Sequence, residues 1–143
     1  DGPGRTAGLG GVAAAPDFTD WGFTPEDKAI ILAEGALIEE TPYGDHPYVT
    51  TRAFWQSGEA NRLLDAEIPI SCPVRLLHGQ EDGDVPPEIS LRLSAALASE
   101  DVQITLVKGG DHRLSREGDI ALLIDTVARL ATNSPVARAA TPI

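Results

Sequence analysis

Residues 73–87 read PVRLLHGQEDGDVPP, and residues 102–113 read VQITLVKGGDHR. Residues 74–77 form a short apolar run that suits a buried strand, and residues 102–107 are rich in the branched side chains typical of strands. Two prolines at the end of the first run can open a helix between the strands. A strand, a helix and a strand of these lengths predict a βαβ unit with parallel strands.

The turns that follow these two strands carry polar side chains that can act together. Parallel strands bring the turns at their carboxyl ends to the same edge of the sheet, where ligands of open α/β sheets bind. The first turn holds Asp82, with Asp84 close by, and the second turn holds His112. A carboxylate beside an imidazole fixes its tautomer and stabilises the imidazolium, as a general base in acyl transfer requires. We therefore expect Asp82 and His112 to lie side by side.

The same turns resemble those of the α/β-hydrolases. The run GQEDGDVP at residues 79–86 looks like the G-x-x-D-x-x-V-P turn of that family, and the likeness gives Asp82 the position of the triad acid. Gly110, Asp111 and His112 resemble the turn of the triad histidine. The order of acid and then histidine, behind an upstream serine, is the order of that fold. The resemblance implies catalytic roles for Asp82 and His112 and no cofactor.

Shorter motifs are similar to one branch of this family. Residues 16–18, 43–44 and 111–115 resemble bacterial and mitochondrial short-capped acyl esterases and thioesterases, of the palmitoyl-protein thioesterase or acyl-glucuronide esterase type. This resemblance implies a small acyl ester or thioester as the substrate.

The resemblance also implies a domain organisation. Residues 6–132 are expected to form the C-terminal portion of an α/β-hydrolase sheet, with parallel strands and flanking helices. Residues 20–65 are expected to be a small helical cap insertion over the active site, where an apolar lid would suit an acyl chain and exclude water. Ordinary packing of the cap is the alternative for each of its aromatic residues. Residues 133–143 lose the helical pattern and are predicted to be a disordered tail.

One element of the family pattern is absent from these 143 residues, namely the nucleophile elbow G-x-S-x-G. We therefore predict that this chain supplies the acid and the histidine, that the serine lies on the N-terminal half of the same fold, and that this chain alone is inactive. None of its serines lies between glycines at the required spacing: Ser57, Ser71, Ser90, Ser94, Ser99, Ser115 and Ser134.

Two other functions remain open. The chain is alternatively a non-catalytic interaction or scaffold protein that binds a partner through an exposed strand at residues 8–15, since an unpaired strand is a template for association. A metal-dependent hydrolase is a third option. The sequence contains no H-x-H or H-E-x-x-H motif, and this absence disfavours a metal site. His78, at a strand end, is interpreted as a structural imidazole, and Asp17 either contacts substrate or serves a turn.

The composition disfavours some classes of binding partner and indicates a cellular compartment. The net charge is −11 and the sequence pI is near 4.5, so the surface repels phosphate backbones and anionic lipid. No apolar run approaches the roughly 20 residues of a membrane span. The single cysteine, Cys72, allows no internal disulfide and indicates a reducing compartment, from which we predict a cytoplasmic location. These features predict no nucleic acid partner and no membrane span.

Three further helices are predicted from their termini and periodicity. One begins at Thr24 and Pro25 and ends at Gly35. A second occupies residues 51–64, after a turn-rich segment, and is interrupted near Gly58. The third is capped by Ser115, and its predicted buried stripe comprises Ile120, Leu123, Ile124, Val127 and Leu130.

Overall fold

The structure is a computed structural model that describes residues 6–41 and 44–132. The predicted tail and Tyr43, part of the branch motif, lie outside the described residues. In chain order the elements are β1 (Leu9–Val12), α1 (Phe18–Trp21), α2 (Pro25–Glu34), β2 (Ala36–Glu39), β3 (Tyr48–Thr51), α3 (Arg52–Ala60), β4 (Val74–Gly79), α4 (Glu88–Ala96), β5 (Val102–Val107) and α5 (Glu117–Thr132).

These elements fall into two compact units. The sheet unit comprises Asp1–Ala15 and Leu64–Ile143, and the inserted unit comprises Pro16–Leu63. The inserted unit nearly coincides with the segment assigned to the cap, but its role over an active site remains a prediction. Among the described helices, none has both the length and the apolar character needed to cross a membrane.

The sheet unit contains a three-stranded sheet in the order β1-β4-β5. Both pairings are parallel, with Leu9 opposite Val74 and Val74 opposite Val102. Helix α4 lies between β4 and β5 in the chain, so the predicted parallel βαβ unit is confirmed. Residues 8–15, where an exposed strand is predicted, contain the strand β1, which lies at one edge of this sheet.

The core of the sheet unit lies between the sheet and α4. Val74 and Leu76 of β4 are buried with Ile68 and Leu97, and Leu93 of α4 packs against this cluster. Full burial of such a side chain stabilises the fold by about 1.5–3 kcal/mol. The core therefore fixes the position of β4, whose carboxyl end leads into the acidic turn.

Helix α5 packs near β4 with only part of its apolar surface. Its covered side includes Leu122, Thr126 and Leu130, and Leu130 lies over Gly8, where a Cβ would come within 3.0 Å of it. The prediction of a fully buried stripe is wrong, because the three described strands are too narrow to cover it. The large apolar residues of α5 that stay exposed are Ile120, Leu123, Ile124 and Val127.

In the inserted unit, the predicted helix at Thr24 is confirmed as α2. Thr24 accepts a hydrogen bond from the Asp27 N–H, and the Asp27 carboxylate accepts one from the Thr24 N–H. This reciprocal capping satisfies two N–H groups that the helix leaves unpaired. Gly35 ends the helix with a φ of +92°, in the left-handed region that suits glycine.

The inserted unit is less helical than predicted. Strands β2 and β3 form an antiparallel hairpin with Ala36 opposite Thr51, where the sequence indicated turns before Thr51. The branched residues 49–51 favour a strand, and Leu37 on β2 is buried, which gives the hairpin an apolar anchor.

Helix α3 continues through Gly58, so the predicted interruption there is wrong. A Cβ at Gly58 would lie 2.6 Å from a methyl carbon of Thr19 and 2.9 Å from the ring of Phe18. The glycine therefore allows α3 to approach α1 closely rather than breaking the helix. Phe54 of α3 also stacks on Phe18, with ring centroids 5.3 Å apart.

Candidate active site

The acidic turn begins where β4 ends, at Gly79. The Asp82 N–H donates to the Gly79 carbonyl over 3.3 Å. The Oδ1 atom of Asp82 accepts hydrogen bonds from the N–H groups of Asp84 and Val85, each at 2.9 Å. The side chain of Asp82 thus closes its own turn, and its second oxygen is left to contact other groups.

The histidine turn follows β5. The Gly110 N–H donates to the Val107 carbonyl at 3.0 Å, and Gly109 has a φ of +68°, which favours glycine. The Asp111 carboxylate accepts the Leu114 N–H at 2.9 Å. The carboxylate of Asp111, which is adjacent to His112 in sequence, is therefore used within its own turn.

Backbone contacts join the two turns. The Gln80 N–H donates to the Val107 carbonyl at 3.0 Å, and the Glu81 N–H donates to the Gly110 carbonyl at 2.9 Å. A Cβ at Gly79 would collide with the carbonyl oxygens of Gly110 and Asp111. Glycine at residue 79 is therefore required for this close approach of one turn to the other.

The junction places the two candidate catalytic side chains against each other. The Nδ1 atom of His112 lies 3.0 Å from Oδ2 of Asp82. The Asp82 side chain is 0% exposed and that of His112 is 41% exposed, whereas Asp84 is exposed. The carboxylate can therefore orient an imidazole whose other edge is open, although catalysis by either residue remains a prediction.

The surroundings of Asp82 favour its ionised form. Burial is the largest single influence and acts to raise the pKa. The hydrogen bonds from the Val85 N–H, from His112 and from the Asp84 N–H together outweigh burial and hold the pKa of Asp82 below its ordinary value. Asp82 is thus a carboxylate at neutral pH, as the orienting group of an acid–histidine pair must be.

A second histidine contacts Asp82 from inside the fold. The His78 side chain is 0% exposed, and its Nε2 atom lies 3.2 Å from Oδ2 of Asp82 and 2.8 Å from the Val85 carbonyl oxygen. Its Nδ1 atom lies 2.6 Å from Oγ of Ser90. The sequence indicated a structural imidazole but not this contact. The sequence signal for this contact was a histidine four residues before Asp82, near the end of the strand β4 that leads into the acidic turn.

The histidine turn is also anchored to the start of α5. Arg116 donates to the Gly109 carbonyl at 3.0 Å and binds the buried Asp119 carboxylate through Nε at 2.7 Å and Nη2 at 2.9 Å. The Arg116 hydrogen bond lowers the pKa of Asp119, although burial opposes it. Asp119 also accepts the Arg116 N–H at 3.3 Å, and α5 begins at Glu117, two residues after the predicted cap Ser115.

One group in the described part of the chain has the geometry to hold a metal ion. Single ligand atoms of Asp82, Asp84 and His112 all lie within 4.8 Å of one another. Both oxygens of Asp82 and the Nδ1 atom of His112 already have partners in the turns. Asp82 and His112 are thus satisfied as an acid–histidine pair without an ion.

Asp17, considered as a substrate contact, serves local structure in the inserted unit. It is buried with a φ of +55°, and its Oδ1 atom accepts the Leu63 N–H at 2.7 Å. The Nε atom of Arg62 lies 3.7 Å from its other oxygen. The Asp17 carboxylate therefore ties its segment to residues 62–63 at the other end of the inserted unit.

Comparisons with known proteins point to one fold. The chain is 36% identical over 129 residues to the mouse protein named palmitoyl-protein thioesterase ABHD10, mitochondrial, covering 87% of this chain and 43% of that relative. The solved structure of mouse α/β hydrolase domain-containing protein 10 is 34% identical, with a TM-score of 0.80 over 90% of this chain and 53% of that one. A protein of Agrobacterium vitis S4, described as a candidate hydrolase, is 35% identical, with a TM-score of 0.80 over 89% of this chain and 50% of that one.

These comparisons correct one prediction. The curated relatives carry "mitochondrial" in their names, so the predicted cytoplasmic location is wrong. The inference rested on Cys72 alone, and a single cysteine does not distinguish one reducing compartment from another.

The chain spans about half the length of the relatives it matches. A scan against protein-family models gives no match. The sequence identity, the TM-scores and the parallel sheet with flanking helices nevertheless agree. Together they show that this chain has the fold of the C-terminal part of an α/β-hydrolase.

Proposed function

We propose that this chain supplies the acid and the base of a serine hydrolase that cleaves carboxylic esters or thioesters. The observation that carries the proposal is the 3.0 Å contact between His112 Nδ1 and Asp82 Oδ2. In the described part of the chain, no group bonds the Nε2 atom of His112, and the ring is partly exposed. That nitrogen is therefore available to take a proton from a nucleophile.

The proposed reaction follows from these two side chains. His112 Nε2 takes the proton of the serine hydroxyl as the serine oxygen attacks the substrate carbonyl carbon. His112 then gives the proton to the leaving alkoxide or thiolate, and an acyl-enzyme remains. A water molecule, activated in the same way, releases the carboxylic acid. Asp82 stays ionised and stabilises the imidazolium in both steps.

The serine and the oxyanion donors are expected on the N-terminal half of the same fold. Support comes from the relatives, which are about twice as long as the part they share with this chain. Support also comes from the exposed Ile124 and Val127 on α5 and from β1, which lies at the edge of the sheet. An edge strand beside an apolar helix face offers a surface on which further strands and helices would pack.

The substrate class is proposed from the names of the relatives. They are palmitoyl-protein thioesterases, so we propose an acyl thioester whose acyl group is long and apolar. The inserted unit presents exposed aromatic side chains, Phe54 and Tyr48, which suit contact with such a group.

A fluorophosphonate probe, which phosphonylates activated serines with loss of fluoride, tests the proposal. We expect the complete polypeptide to label on one serine outside this chain and to hydrolyse a palmitoyl thioester. His112→Ala should reduce both rates by about 10³-fold or more, the scale of losing a triad member. His46→Ala, in an exposed loop, is the matched control and should change neither.

Labelling of the 143-residue chain alone tests whether the nucleophile lies on another segment. We expect no serine on it to react with the probe. Labelling of one of its own serines, abolished by His112→Ala, would contradict the assignment of the nucleophile to another segment. Loss of activity on adding EDTA to the complete polypeptide would favour a metal-dependent hydrolase instead.

The exposed edge strand β1 also favours a second candidate, an interaction protein that keeps half of a hydrolase fold. Leu9 and Val12 are exposed on this strand. Such a protein would be a stable monomer by itself and would bind a partner along β1. Size-exclusion chromatography of the chain distinguishes the two candidates, because an incomplete hydrolase domain with this exposed apolar surface would associate or aggregate.

A further inference from the structure

We propose that His78, held by Ser90, is a positioning residue that keeps Asp82 oriented toward His112. The inference deepens the proposed function and rests on it, because it assigns a role in the acid–histidine pair. Its basis is the line of contacts from Ser90 through His78 and Asp82 to His112, with three of the four side chains buried.

The chemistry of the contacts fixes the proton on the His78 ring. Nε2 faces the Val85 carbonyl oxygen at 2.8 Å and the Asp82 carboxylate at 3.2 Å, and neither group has a proton to donate. Nε2 must therefore carry the hydrogen. Nδ1 then accepts from the Ser90 hydroxyl, 2.6 Å away. This neutral tautomer satisfies both ring nitrogens without placing a second charge in the core.

The ring of His78 adds a further contact to Asp82: its Nε2–H bonds the Val85 carbonyl oxygen at 2.8 Å and also faces Oδ2 of Asp82 at the longer distance of 3.2 Å. A carboxylate offers about four acceptor positions. Oδ1 accepts from two backbone N–H groups, and Oδ2 faces the ring nitrogens of His112 and His78. The plane of the carboxylate is therefore fixed from both sides, and Oδ2 lies where Nδ1 of His112 meets it.

Loss of the His78 N–H would remove the partner of the Val85 carbonyl oxygen, which closes the acidic turn, and would leave Oδ2 of Asp82 with the His112 contact. The carboxylate could then rotate, and the hydrogen bond that orients the His112 ring would weaken. A buried histidine with a purely structural role would not have this effect. Its removal would lower stability without changing the His112–Asp82 hydrogen bond specifically.

Imidazole NMR of the histidine-labelled complete polypeptide provides the test, and this chain contributes three histidines to assign. The signal to follow is the His112 Nδ1 proton, which we expect to resonate downfield and to exchange slowly with water. His78→Phe keeps a ring but removes the donor. His78→Gln places an amide N–H near the Nε2 position. His46→Phe, in an exposed loop, is the matched control.

We expect His78→Phe to speed exchange of the His112 Nδ1 proton by about tenfold, the scale of one lost hydrogen bond. His78→Gln should restore most of the protection, Ser90→Ala should give a smaller change, and His46→Phe none. An unchanged His112 signal in folded His78→Phe and Ser90→Ala proteins would overturn the proposal. If His78→Phe does not fold, Ser90→Ala decides: faster exchange of the His112 Nδ1 proton supports the proposal, and an unchanged rate overturns it.

Kinetics of the complete polypeptide give an independent readout. His78→Phe should lower kcat by about tenfold or more with little change in KM, and His78→Gln should recover most of it. An equal fall in kcat for Phe and Gln would contradict a role for the donor. The NMR result needs no nucleophile, so an absence of hydrolysis would refute the proposed function without affecting the test of His78.

Discussion

Two regions of the sheet unit differ in how completely their side chains find partners within the unit. In the acid–histidine cluster (Asp82, His112, His78 and Ser90), each side chain has a hydrogen-bond partner within the unit. On the α5 apolar face (Ile120, Leu123, Ile124 and Val127), each large apolar side chain is exposed.

The difference arises because a polar site and an apolar helix face need different amounts of surrounding structure. Asp82 and His112 of this cluster lie in turns that follow neighbouring strands, so the parallel pairing of β4 and β5 is enough to bring them together. The α5 apolar face needs a wide surface to cover it, and three strands do not provide one. A polar site can thus be complete in a unit whose hydrophobic surface is not.

The largest effect on the cluster is expected from Gly79→Ala. A Cβ at residue 79 would collide with backbone oxygens of Gly110 and Asp111, and backbone cannot move as a flexible side chain does. We expect a loss of about 3 kcal/mol in the free energy of unfolding, measured by urea denaturation. The collision should also separate the turns and abolish the slow exchange of the His112 Nδ1 proton.

Gly83→Ala is the matched control for that substitution. Gly83 lies in the same acidic turn, and a Cβ there would meet nothing within 4 Å. We expect a change within about 0.5 kcal/mol, as for ordinary surface substitutions. Equal losses at residues 79 and 83 would show that the turn resists any side chain, not that the two turns are in contact.

A smaller effect is expected from Asp82→Asn. The asparagine amide group cannot accept at both of its ends, so either the turn N–H groups or the two histidines lose an acceptor. We expect a loss of about 2 kcal/mol at neutral pH, the scale of an unsatisfied buried group. Asp84→Asn, at an exposed position that contributes only its N–H, should change stability by less than about 0.5 kcal/mol.

The lowered pKa of Asp82 also predicts how the free energy of unfolding changes with pH. The pKa of Asp82 is lower in the fold than its ordinary value of 3.8, so the unfolded chain binds the proton more tightly. The stability that its ionised form contributes is therefore present above about pH 4 and is lost as the pH falls through the lowered pKa. Denaturation between pH 7 and pH 3 should show a shallower loss for Asp82→Asn than for the unaltered chain.

Sequence reasoning located the Asp82–His112 pair because its determinants are local. Two branched runs and an intervening helix predict parallel strands, and parallel strands place Asp82 and His112 at one edge of the sheet. The contact of His78 with Asp82 was not predicted. It depends on how the acidic turn folds back over the end of β4, which follows from the Asp82 hydrogen bonds to Asp84 and Val85.

The errors concern the burial of α5 and the role of Gly58, and both arose because the sequence pattern does not show which surface packs against a helix. The α5 stripe has the correct spacing, but spacing alone does not show whether another surface is present to bury it. Gly58 was interpreted as a helix breaker, whereas its lack of a side chain serves the contact of α3 with Thr19 and Phe18. In both cases the deciding fact is a neighbour distant in sequence, which local patterns do not contain.

The smallest effect is expected on the α5 apolar face, from Ile124→Ser. Ile124 is 64% exposed, and serine has a similar helix propensity, so the chain alone should lose less than about 0.5 kcal/mol in urea denaturation. In the complete polypeptide, where we propose that further structure covers this face, the same change should cost about 2 kcal/mol or more, because a buried side chain is lost. Asp125→Ser, whose exposed carboxylate pairs with Arg129, is the control and should cost little in both proteins. An equally small effect of Ile124→Ser in both would mean that the face is not covered by the rest of the fold.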